Sequence, residues 1–226
     1  RTSTAAAQSP GDARDARGAS ARTAATRTMV GTVQAMDVTR FKEIEHKFVV
    51  GPTFDLDAFD RALTAIGPTR RNRIEVRDEY FLTADGLARG YVVRHRYDRE
   101  LHQLTLKSRE RDPQVRDEIT LDLGHHSGEQ REAVEAFVSR MGLQWSGTVT
   151  KDLRVWYFPD CEVVHYVARA DEQEVHCVEF EAVAPASVEA ALAVLARYEH
   201  ATGLDVVRRE KASIVDLLFP QVFGEG

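Results

Sequence analysis

From Phe41 onward the chain alternates polar and apolar residues with a period of two, the spacing of a strand with two unlike faces. Residues 41–50, 79–82, 91–97, 102–108 and 116–123 are strand-length segments of this kind, and a second β stretch covers 148–158, 162–168 and 174–184. Turn signals fall at Ala84-Asp85-Gly86, Asp98-Arg99-Glu100 and Asp112-Pro113. Three segments switch to the helical period. Residues 54–66 place Leu56, Phe59, Leu63 and Ile66 on one stripe, residues 130–141 do so with Val134, Phe137, Val138 and Met141, and 187–202 form the third. Gly142 and Gly203 stand where a helix ends on a left-handed residue. The rhythm predicts an α+β fold.

The polar faces of these strands are unusual, because the charges segregate. The first strand carries Glu43, Glu45 and Lys47 on one face against Ile44 and Phe48. Arg94 and Arg96 share a face, as do Thr105 and Lys107, then Arg116, Glu118, Thr120 and Asp122, then Glu179 and Glu181. One such strand reads most simply as the solvated face of an open sheet. Five together, each with an apolar face that a helix can cover, point to a sheet closed into a barrel with its charges inside. Such an interior is wet and binds something charged, since unpaired buried charges are very costly.

Composition narrows the partners. Of 226 residues, 43% are hydrophobic and 29% charged, and the apolar runs are too short to span a bilayer. Residues 1–40 hold six Arg against three Asp, or +3; the whole chain is −6, so the remainder is −9. That balance argues against a nucleic-acid partner, because general binding needs clustered Lys and Arg. Residues 1–35, rich in Arg and Ala and without aromatics, read as a disordered tail, a remnant upstream of the fold. Their composition also matches an organellar transit peptide, which makes import the alternative to a cytoplasmic location. Two cysteines, Cys161 and Cys177, exclude a disulfide-stapled fold and a four-cysteine zinc site.

The motifs carry a resemblance. Glu43-Ile44-Glu45-His46-Lys47 matches the ExExK signature of the CYTH superfamily, the triphosphate tunnel metalloenzymes. In the family's order there follow Asp78-Glu79-Tyr80-Phe81, Val93-Arg94-His95-Arg96, Leu104-Thr105-Leu106-Lys107 and Arg116-Asp117-Glu118, then Val178-Glu179-Phe180-Glu181 and the closing Ile214-Val215-Asp216-Leu217-Leu218. The chain departs from the pattern in two places. Thr120 stands where many members have an acid, and Lys151 is followed on its face by Leu153, with Arg154 one step off. A bulge would turn Arg154 inward; otherwise Lys151 acts alone.

The resemblance implies a closed eight-stranded antiparallel tunnel barrel with helices packed outside, over residues 36–222, as a monomer or homodimer. It implies binding of a small triphosphate-containing molecule with Mg²⁺ or Mn²⁺. Lys47, Arg94, Arg96, Lys107, Arg116 and Lys151 would balance the phosphates, joined by Arg154 and by Lys211 at the tunnel mouth. Glu43, Glu45, Glu179 and Glu181 would supply hard oxygen ligands, with Glu43, Glu45 and Glu181 foremost. Glu118 would orient a water or hold a second metal. The activity expected first is hydrolysis of tripolyphosphate, thiamine triphosphate or a nucleotide. The alternatives are an adenylyl cyclase and a non-catalytic binding module. His46 and His95 read as packing or outer-surface histidines, His125-His126 as a solvated loop pair, and Trp145, Trp156 and both cysteines as core.

Overall fold

The computed structural model describes residues 41–97, 102–109, 115–124 and 129–223. The expectations for residues 1–35, for the turns at 98–100 and 112–113, and for His125-His126 lie outside the described residues.

Eight strands close into an antiparallel barrel. In chain order they are β1 (Lys42–Val50), β2 (Arg70–Thr83), β3 (Tyr91–Tyr97), β4 (His102–Ser108), β5 (Val115–Asp122), β6 (Leu143–Tyr157), β7 (Cys161–Ala170) and β8 (Gln173–Ala182). Around the barrel the order is β1-β5-β4-β3-β2-β6-β7-β8, which returns to β1. The expected fold is the observed one.

Helices cover the outer wall where its residues are apolar. Helix α1 (Leu56–Ile66) is capped by Asp55, whose carboxylate accepts from Ala58 N, and ends at Gly67 in the left-handed region. Its Phe59 and Leu63 join Leu195 and Tyr198 of α4 (Val188–Thr202) over Ile44, Phe48, Val178 and Phe180 of β1 and β8. Helix α3 (Glu129–Arg140) sets Val134 and Val138 on Phe81 and Val93. Only that pair of its expected stripe is buried; Phe137 and Met141 are exposed, because α3 meets the wall along one narrow line. Nor is every apolar wall face covered by the described residues: Leu121 on β5 is 57% exposed.

Further elements escaped the sequence pattern. Strand β2 begins at Arg70, nine residues ahead of the expected segment, because its first half pairs with β6 from Arg70↔Tyr157 onward while presenting arginines to solvent. Ala84–Arg89 is a short helix, α2, where a turn was expected; Thr83 accepts from Gly86 N, and Gly90 (φ +75°) closes it. Near the C-terminus α5 (Ile214–Leu218) and α6 (Pro220–Phe223) pack with Val76, Tyr80, Val92, Leu153 and Tyr166. One part of the barrel interior is therefore apolar, and the charged part is bounded by Ser213, Ile214 and Val215.

Candidate active site

Period-two alternation sends one face of each strand into a cavity of about 460 Å³ lined by side chains from all eight strands. Strand β1 contributes Glu43, Glu45 and Lys47, β3 contributes Arg94 and Arg96, and β4 contributes Lys107. Arg116 and Glu118 come from β5, Lys151 from β6, and Glu179 and Glu181 from β8. Eleven of the thirteen expected site residues therefore meet in one chamber.

The other two do not. Arg154 is exposed on the outer wall, since β6 pairs with β2 and β7 in unbroken register through Lys151, Asp152, Leu153 and Arg154, with no bulge to rotate it. Leu153 takes the interior position instead. Lys211 is exposed and does not line the cavity; its backbone N–H donates to Glu210, beside the bridge by which Glu210 N bonds Lys47 O.

The structure adds residues that pattern reading missed. Tyr80, Arg109, Glu162 and Tyr166 line the same cavity. Asp78 lies beneath it, fully buried, holding Arg96 and Lys151. Asp78 and Tyr80 alternate on β2, so their common face was a signal available in the sequence. Glu162 had no such signal, because its neighbours Val164 and Tyr166 give that face an apolar look.

Carboxylates and cations are sorted across the chamber by register. Glu45 pairs with Glu181, and Glu181 with Glu162, so three carboxylates lie in one row across β1, β8 and β7. Like charges directly opposite one another are destabilising. The consequence appears in their protonation: burial, then Glu43, Glu45 and Glu162, push Glu181 well above the usual carboxylate range. Burial also raises Glu162. Glu43 is pushed up to about 7 by burial, by Glu45 and by Glu118.

Elsewhere the acids are matched. Lys107 Nζ sits 3.0 Å from Glu43 Oε1 and 2.8 Å from Glu118 Oε2, and Arg94 lies 3.3 Å from Glu118 Oε1. Against the desolvation that would raise it, Lys107 and Arg94 lower Glu118 to about 2. Glu179 is likewise lowered to about 2 against desolvation, by Lys47 at 3.2 Å, by Lys151 and by the Tyr166 hydroxyl, which donates to it at 2.7 Å. Arg116 contacts Glu45 Oε1 at 2.7 Å. Glu179 is thus an anchor for cations, Glu43 and Glu45 are also paired with cations, and Glu162 and Glu181 make no ion pair among the described residues.

Donor chemistry tests whether a divalent metal fits. Among the described residues, no group of three or more His, Cys, Asp or Glu side chains is gathered closely enough to hold a metal ion as they stand. The donor set nevertheless suits one: all hard carboxylate oxygens, mutually repelling, with Glu43 Oε2 buried and lacking a hydrogen-bond partner. Arg94 Nε is a buried, unpartnered donor at the same chamber, which suits an anionic oxygen.

The expected packing roles hold for several residues. His46 is buried against Glu199, which Arg209 also grips, and His95 is buried with its Nε2 2.8 Å from His102 Nε2. Cys161 and Cys177 are buried free thiols, Trp156 is core, and Trp145 is partly buried against the C-terminal helices. No helix among the described residues is long and apolar enough to cross a membrane.

The family model described as the CYTH domain matches residues 42–208. The structure is similar to a protein of Pyrococcus horikoshii OT3, with a TM-score of 0.60 and 19% identity over 78% of this chain and 99% of that one. It is similar to a conserved hypothetical protein of Pyrococcus furiosus, with a TM-score of 0.58 and 23% identity over 78% and 99%. A Bacillus halodurans protein provisionally named an adenylate cyclase matches with a TM-score of 0.50 and 19% identity over 79% and 99%. At these identities the likeness is one of fold. Among curated proteins no sequence matches this chain.

Proposed function

The chain belongs to the CYTH domain family, and from that premise we propose that it hydrolyses a linear triphosphate, using Mg²⁺ or Mn²⁺ and releasing orthophosphate. The family is enzymatic, acts on triphosphates and is metal-dependent in general; the hydrolytic reading and the substrate are this chain's own. The observation that carries it is the row Glu45–Glu181–Glu162, a set of opposed carboxylates that binding of a polyanion alone does not require.

In this reading Lys47, Arg94, Lys107, Arg116 and Lys151 hold the phosphate oxygens. Arg contributes a planar two-pronged donor and Lys a movable point charge. Arg96 is committed to Asp78 and acts mainly by keeping the chamber wall in place. Glu43, Glu45 and Glu181, with Glu162 beside them, hold the divalent ion. Bound there, it supplies positive charge against the phosphate oxygens as charge develops on them. Glu118 orients the attacking water by accepting a hydrogen bond. Lowered to about 2, its carboxylate is too weak a base to take the proton itself. Water adds to the terminal phosphorus, the bridging P–O bond breaks, and the products are diphosphate and orthophosphate. The buried thiols Cys161 and Cys177, unbridged, suit a reducing compartment such as the cytoplasm.

The test is phosphate release from tripolyphosphate, ATP and thiamine triphosphate with Mg²⁺ or Mn²⁺, in wild type and Glu43→Ala, with nucleotide products separated. Orthophosphate release that depends on Glu43, with no cyclic AMP, is the expected result. Cyclic AMP with diphosphate would replace the reading by a cyclase, and triphosphate binding without turnover would replace it by a binding module.

A further inference from the structure

Arg154 opens onto a second cavity of about 320 Å³ on the outer wall, lined by Pro52, Phe54, Asp152, His165 and His176 among others. In register it stands directly between Arg73 of β2 and His165 of β7.

The acids nearby are already committed. Asp152 takes both prongs of Arg73, at 3.1 Å and 2.7 Å. Glu174 on β8 accepts from Arg169 at 2.7 Å and pairs with His176 at 2.8 Å. Asp55 caps α1. Arg154 makes no ion pair among the described residues, although the domain around it is acidic.

His165 is the second, independent observation. It is only 7% exposed, its ring stacks on Phe54 with centroids 5.9 Å apart and planes 10° apart, and neither ring nitrogen has a hydrogen bond among the described residues. Its ring nitrogens reach the surface of the pocket and are open to a ligand. Here the unused donors of Arg154 and His165 line one pocket, with Phe54 and Pro52 as its apolar flank.

We propose that Arg154 and His165 form a binding site for a small tetrahedral oxyanion of the phosphate class, on the outer wall and separate from the tunnel. The guanidinium offers two parallel N–H groups to adjacent oxygens, and the imidazolium offers a third donor. Without an anion, burial, then His176 and Arg154, lower His165 to about 4. A bound anion offsets the repulsion from His176 and Arg154, so His165 takes up a proton with it. Binding therefore strengthens as pH falls.

The experiment follows the imidazole C–H signals of His165 and His176 by NMR in the full chain, titrated with orthophosphate against chloride at equal ionic strength. His165→Gln assigns the signal. The expected result is a saturable response to phosphate that raises the pKa of His165 by about one unit, equivalent to about tenfold tighter binding to the protonated form. In Arg154→Ala the response disappears while tripolyphosphate turnover is unchanged, since Arg154 lies outside the tunnel. In Arg94→Met, which alters the tunnel alone, the response stays in place. A His165 signal indifferent to phosphate, a response that survives Arg154→Ala, or one abolished by Arg94→Met would overturn the site.

Discussion

Arg96 grips Asp78 with both prongs, Nε to Oδ1 at 2.7 Å and Nη2 to Oδ2 at 2.8 Å, across the directly paired positions of β3 and β2. Lys151 completes the cluster 2.9 Å from Oδ2. Asp78 has no exposed surface, yet against desolvation Arg96 and Lys151 hold it well below the usual carboxylate range. Two arginines adjacent on one strand face therefore do different work, since Arg94 contacts Thr105 and Glu118 and keeps an unpartnered Nε.

Arg96→Met is expected to lower unfolding free energy by about 3 kcal/mol, because it strips the main partner from a buried charge. Arg94→Met is expected to leave stability nearer wild type and raise KM by about tenfold, the loss of one charge-assisted contact. Urea denaturation and steady-state kinetics on the two variants check the division. Equal losses of stability from both would contradict it. The Asp78 contribution is present above the unfolded carboxylate pKa and is lost as pH falls through its depressed folded value.

The carboxylate row makes a second prediction, in which stability and function move in opposite directions. Glu181→Gln removes the central member of Glu45–Glu181–Glu162 and relieves repulsion on both sides. Without metal the variant is expected to be more stable than wild type by on the order of 0.5 kcal/mol. Its gain in melting temperature on adding Mn²⁺ should shrink sharply, as should turnover. Thermal melts with and without Mn²⁺ read both quantities, and a destabilised variant with an intact Mn²⁺ response would refute the assignment.

The third concerns pH. Burial and Glu45 push Glu43 up to about 7, with Glu118 beside it held ionised, so the free protein keeps a proton on Glu43 near neutrality. The folded pKa lies above the unfolded value, so this group's contribution to metal-free stability is present below the unfolded pKa and declines as pH rises through about 7. Metal binding needs that proton gone. Mn²⁺ affinity is expected to rise from about pH 6 to 8, approaching tenfold per unit on the acid side. Calorimetric titration at several pH values measures the slope, and Glu43→Gln should flatten it while weakening binding throughout.

A fourth separates orientation from proton transfer. Glu118→Ala is expected to lower kcat by about a hundredfold. A group lowered to about 2 contributes no ionisation near neutrality, so the acid limb of the kcat profile should stay where wild type has it. A limb that moves with this substitution would make Glu118 the proton acceptor instead.

Much of this molecule is legible in its sequence, because strand alternation is local. Glu43, Glu45 and Lys47 share a face whatever surrounds them, and the same holds for Arg94 with Arg96 and for Glu179 with Glu181. Segregated charge on strand after strand is enough to demand a closed, wet interior, and the ordered motifs placed it in a family. Tertiary structure decided what alternation leaves open, namely which residue lies opposite which. Register set Glu162 and Glu45 either side of Glu181, locked Arg96 onto Asp78, and kept Arg154 outside on an unbroken ladder. It also settled how the charges share protons, since burial and distance, not residue type, separate Glu43 from Glu118. A face is a property of neighbours along the chain, whereas a partner is a property of closure, set by strands far apart in sequence.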